Sequence, residues 1–191
     1  MRRVAPLIAG LALMAGCSEP VATDATTGIQ PPPVTADKGV GSGEARLSAS
    51  VRSDLALLRR VTAKFHEFDE ATEAGWSAQI TPCMVDPGGA GGMGFHYGNT
   101  SLIDGTARVD QPEKNGRLRL VAVEYIIPYT FHSRDAAPPV LFGQKFIQND
   151  VFQLWGLHAW VWKDNPSGIF ANWNPRVNCA HTSQVMVMSH N

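Results

Sequence analysis

The chain predicts an α+β domain in which one long amphipathic helix packs on an antiparallel sheet, closed by one disulfide. Three observations carry this. A helical stripe of apolar residues occupies 51–74, two later stretches are apolar on both faces of an extended chain, and two cysteines flank everything between them.

Residues 1–16 place Arg2 and Arg3 before an uncharged apolar and small-residue run. This is the pattern of a secretion signal, and it is too short to remain as a membrane span. It ends in Leu13-Met14-Ala15-Gly16-Cys17, which resembles a bacterial lipobox with Met14 where leucine is commonest. The expectation is a lipid on Cys17, the membrane as a partner through that lipid alone, and attachment in the cell envelope. Ser18 after the cysteine points to the outer membrane facing the periplasm, and an ordinary signal peptide is the alternative. Removing the leader takes the formal net charge from −1 to −3, which leaves no electrostatic footprint for nucleic acid.

Residues 17–49 are rich in Ala, Thr, Pro, Gly and Ser and lack the large apolar groups that offset chain ordering. They read as a tether whose root-mean-square span is about 30 Å. Residues 50–191 read as one globular domain with a short C-terminal tail.

Within that domain Leu55, Leu58, Val61, Phe65, Phe68 and Ala71 recur at three- or four-residue steps. Ser50 suits the N-cap, Asp54 the first turn and Gly75 the C-terminal cap. His66 and Glu70 fall together on the charged face, as an exposed helix pair or, less simply, as metal ligands. The glycine-dense stretch 87–94 matches a dinucleotide-binding pattern at glycines 89, 91 and 94, but 95–99 continue as strand and turn rather than as a helix, so that reading fails.

Asn115-Gly116 between two extended runs predicts a hairpin. Its second strand, 117–127, sets Glu124 in an apolar row with Leu118, Leu120, Ala122 and Ile126. A buried carboxylate there needs a partner, a proton or a place at the rim. Residues 151–162 hold three of the five tryptophans, one histidine and no charge, and alternation makes both faces apolar, so they read as a central strand with His158 on one face. The tryptophans suit a core better than a ligand pocket. Residues 169–173 suggest one helical turn before Asn174-Pro175. The tail Met186-Val187-Met188-Ser189-His190 offers soft donors suited to Cu(I), although a frayed terminus is the simpler account.

With Cys17 lipidated, Cys83 and Cys179 remain, and an even pair in an exported chain oxidises, with free thiols or metal ligation as alternatives. Their bridge would be worth about 4–5 kcal/mol on a chain-entropy account.

The succession Ala74-Gly75-Trp76, Thr81-Pro82-Cys83, Met93-Gly94-Phe95-His96-Tyr97-Gly98-Asn99, Leu120-Val121-Ala122-Val123-Glu124-Tyr125, Leu141-Phe142-Gly143, Leu157-His158-Ala159-Trp160-Val161-Trp162 and Phe170-Ala171-Asn172-Trp173-Asn174-Pro175 resembles an uncharacterised family of exported bacterial proteins, over roughly residues 71–179. The resemblance supplies no catalytic residue, ligand or substrate.

The candidates for chemistry are His96, Glu124 and His158, each in an extended stretch. Two imidazoles and a carboxylate can hold Zn, Fe, Cu or Mn with positions left open. They have no short ligand spacing, so a structural polar network, or three unrelated positions, would account for the same residues. The expectation is an envelope lipoprotein with a small-ligand or metal-binding domain and no assigned catalytic residue. The alternatives are a metal-dependent enzyme using the same three residues and an interaction or scaffold domain with an envelope partner.

Overall fold

The computed structural model describes residues 44–102 and 105–188, so Cys17, the expected leader, residues 17–43 of the expected tether and His190 lie outside the described residues. Residues 44–49, expected within the tether, belong to the fold instead: Glu44–Arg46 form a 3-10 turn, Glu44 pairs with Arg59, and Leu47 packs on the core. The architecture is a curled, mostly antiparallel seven-stranded sheet with short helices on one face and a long irregular segment on the other.

The single long helix is not formed. Instead α1 covers Ala49–Thr62, a 3-10 turn follows over Ala63–His66, and α2 covers Phe68–Glu73. Glu67 interrupts the helix with extended backbone (φ −77°, ψ 123°). The break has a packing cause: beyond it Phe68 meets Tyr97 edge-on at 4.9 Å and lies under the Arg108 guanidinium. These tertiary contacts override a stripe that propensity alone would continue. His66 does not form an exposed pair with Glu70; it is half-buried, with its ring 4.0 Å from that of Trp162. The N-cap is Ser48, whose hydroxyl accepts from Val51 N, rather than Ser50, and Asp54 falls beyond the first turn. Gly75 does end α2: at φ +92° it donates to Thr72 O while Trp76 N reaches Ala71 O, the paired bonds of a Schellman cap.

The strands run β1 Ala78–Val85, β2 Gly92–Gly98, β3 Thr106–Pro112, β4 Leu118–Pro128, β5 Val140–Leu141, β6 Gln144–Lys145, β7 Ile147–Asn149, β8 Leu154–Ala159 and β9 Val185–Val187. The large sheet has the order β7-β8-β4-β3-β2-β1-β9, and β5 and β6 form a separate hairpin. The expected Asn-Gly hairpin joins β3 to β4, held by Gly116 N to Glu113 O at 3.0 Å. Strand β2 follows the glycine-dense loop directly, in keeping with the rejected dinucleotide reading.

Three other expectations are corrected. The stretch 151–162 is a strand only over β8, one place in from the edge, although Trp155, Leu157, His158, Ala159 and Trp160 are buried as its two apolar faces required. Residues 169–173 form no helix; Ala171 N to Gly168 O is a single turn. The tail does not fray before Met188, and β9 pairs with β1 in parallel, so the sheet is not wholly antiparallel.

Leu55 of α1 is fully buried against Val123, Ala159 and Val161, which fixes the helix-covered face. On the other face Val109, Val121, Ala122 and Trp160 pack with Ile169 and Val177 from the segment after β8. Cys83 and Cys179 form the expected disulfide across 96 residues, anchoring that segment to β1. Trp155 and Trp160 are core residues with their indole N–H groups bonded to His132 O and Ala171 O.

A candidate metal centre

Glu124 and His158 are direct partners across β4 and β8. His96 stands on β2, with β3 between it and β4. Across β3, His96 is opposite Val109, while Ala107 is the partner of both Gly98 and Glu124. Ala107 and Ala122 are fully buried and reach no further than a methyl group, so the ring of His96 can cross above them as the sheet curls. The result is convergence: His96 Nε2 lies 3.4 Å from His158 Nε2 and 3.4 Å from Glu124 Oε2, and His158 Nε2 lies 3.9 Å from Glu124 Oε1.

Among the described residues this is the group of three such side chains whose ligand atoms all fall within 4.8 Å of one another. The spacing fits a metal. Two ligand atoms each about 2.0–2.1 Å from a tetrahedral ion stand roughly 3.3–3.4 Å apart. The three positions are therefore not unrelated.

Neighbouring residues orient each ligand. Thr81, opposite His96 on β1, places Oγ1 2.8 Å from His96 Nδ1; with the proton on Nδ1, Nε2 presents a bare lone pair to the centre. His158 is stacked on Trp160, with ring centroids 5.6 Å apart and planes at 12°. Its Nδ1 is buried and makes no hydrogen bond of ordinary geometry among the described residues, although the Asn172 side chain is near enough to favour the charged ring. Asn172 is carried by a segment that Asn165 and Asn174 hold through Asn165 Nδ2 to Trp173 O and Asn174 Nδ2 to Asp164 O. Gly156 makes room for the carboxylate: a Cβ there would stand 2.7 Å from Glu124 Oε1.

Burial sets the protonation. It pushes Glu124 up to about 8, since a carboxylate so enclosed loses its hydration. It pushes His96 down to about 3, helped by His158, and His158 down to about 4, against the pull of Asn172. Without a metal, the site at neutral pH holds two neutral imidazoles and a mostly protonated carboxyl group. The side chains of His96 and His158 are 3% and 1% exposed, while that of Glu124 keeps 12%, so the carboxylate edge is the approach to the site.

Thr81, Gly156 and Asn172 are absent from the sequence-derived site. Thr81 and Asn172 fall within the motifs quoted above and Gly156 within 151–162, but nothing local in the sequence ties any of them to the site. The cavity of about 310 Å³ between the helices and β3–β4 lies elsewhere, and Trp76 lines it rather than the tryptophans of 151–162.

The fold and site thus define a mixed α/β domain with a buried two-histidine, one-carboxylate cluster. Comparison with family models, with curated proteins and with solved structures found no match to this chain.

Proposed function

We propose that this is a lipid-anchored envelope protein whose domain binds one divalent first-row cation, Zn²⁺ foremost, through His96, Glu124 and His158. The observation that carries the reading is the 3.4 Å convergence of both imidazole Nε2 atoms and a carboxylate oxygen, with no arginine or lysine of the described residues among the charges that act on them. The Cys83–Cys179 disulfide suits an oxidising compartment, in which a redox-inert ion is the simplest occupant. The lipobox at Cys17 supports anchoring, and Ser18 supports the outer membrane.

Three protein ligands leave a fourth position for water or a small ligand. The ion would supply Lewis acidity there; Thr81 and the Trp160 stack would hold the two rings, and Gly156 would leave the carboxylate its place. The near-complete burial of both histidines supports retention of the ion rather than turnover of a large substrate.

Metal analysis of the full-length purified protein tests this, beside His158→Ala and Glu124→Gln. One equivalent in the wild type and none in either variant, with circular dichroism retained, is the expected result. A wild type that holds no metal after incubation with Zn²⁺ and desalting would overturn it.

A further inference from the structure

The chain has six methionines, of which Met1 and Met14 belong to the leader. The other four, Met84, Met93, Met186 and Met188, meet in one cluster, and the four other apolar clusters contain none. Their meeting is made by the fold and not by sequence proximity. Strand β9 lies parallel to β1 with Met186 opposite Met84, and Met188 N donates to Val85 O at 3.2 Å. Met93 enters β2 just before Gly94, the partner of Met84. Met84 and Met93 are each 2% exposed and Met188 9%, while Met186 is half-buried. Phe152 and Trp173 pack against the group and complete an apolar wall.

Methionine as a gap-filler belongs wherever a core is irregular. Here the other four clusters of the described residues are built from aliphatic and aromatic side chains with the Cys83–Cys179 disulfide, and thioethers are confined to one place beside the edge strand. We infer that Met84, Met93, Met186 and Met188 form a thioether site for a soft monovalent cation, Cu(I), distinct from the His96–Glu124–His158 centre. Thioether sulfur is a soft donor that selects Cu(I) over hard and borderline divalent ions. The apolar wall excludes the water that would compete for the ion or promote its oxidation. The most exposed donor, on an edge strand held by three residue pairs, gives the ion its way in.

Anaerobic titration of the full-length protein with Cu(I) in the presence of the chromophoric chelator bicinchoninate tests the site. The variants are Met84→Leu/Met188→Leu, which keeps core volume, and His158→Ala. The expected result is one Cu(I) equivalent withdrawn from the chelator by the wild type and by His158→Ala, and none by the double methionine variant. X-ray absorption of the loaded wild type should show sulfur neighbours around copper, and this decides the matter even if the double variant fails to fold. Wild type that withdraws no copper, copper retained by a folded double variant, or copper surrounded by nitrogen and oxygen alone would each overturn the inference. Because His158→Ala reports on the other centre, failure of one site does not imply failure of the other.

Discussion

Two buried polar groups occupy opposite faces of the same sheet and are satisfied in different ways. On the helix-covered face Arg108 and Asp110, 4% and 0% exposed, form a two-pronged ion pair with Arg108 Nε to Asp110 Oδ2 at 2.6 Å. Burial raises the Asp110 carboxyl and the arginine opposes that rise, so permanent charge meets permanent charge. On the other face no arginine or lysine of the described residues is among the charges that act on His96, Glu124 and His158. Without a cation they reach neutrality with one proton, held on Glu124 or on a ring, and burial favours the carboxyl group by raising Glu124 and lowering both histidines. One arrangement balances its charge internally, although Arg108 Nη1 is buried without a hydrogen-bond partner; the other is balanced only with a cation or a proton. Equal burial therefore identifies neither as a site, and the missing countercharge does.

Breaking the self-sufficient pair should have the largest effect. Asp110→Ala strands a buried guanidinium and should lower stability by about 3–5 kcal/mol in urea unfolding. Loss below 1 kcal/mol would mean that the pair is not structural. Glu124→Gln should invert that result, changing metal-free stability by less than about 1 kcal/mol because it mimics the protonated acid, while abolishing stoichiometric metal.

The pH response should separate the faces next. Glu124, raised from 4.5 to about 8, is proton-rich in the folded state, so its contribution falls as pH rises through that window. The histidines, lowered from 6.5 to about 3 and 4, are proton-poor when folded, so theirs falls as pH drops below 6.5. Between 4.5 and 6.5 two histidines outweigh one carboxyl, so the cluster's contribution should peak near pH 6.5 in metal-free protein. In Glu124→Gln the descending limb above that pH should disappear; its persistence would assign it to another group. The smallest effect falls to Thr81→Val, which should weaken Zn²⁺ binding by about 10–100-fold through the His96 ring while leaving secondary structure intact, as a competition titration would read.

How much of this was legible beforehand depends on the range of each interaction. Alternation alone set Glu124 in an apolar row and His158 on a strand, and Asn115-Gly116 marked the hairpin, because those are local properties of pleat and turn. The disulfide followed from compartment and parity. The convergence of His96 did not, since it depends on sheet curl across β3, where Ala107 leaves room beside Glu124. The break at Glu67 was hidden because Phe68 answers to Tyr97 and Arg108, about thirty and forty residues away. Strand β9 is three residues long and finds its partner about one hundred residues earlier, which leaves no periodic signal.

That last pairing also orders events in time. Strand β1 has its outer neighbour only when β9 arrives, and the cysteine that bridges to β1 lies just ahead of β9 in the chain. Synthesis delivers the N-terminal side first, so β1 is made before the strand that pairs with its outer edge. Among the described residues β9 is the last strand to be synthesised, and a chain ending before residue 185 would leave the outer edge of β1 without this partner.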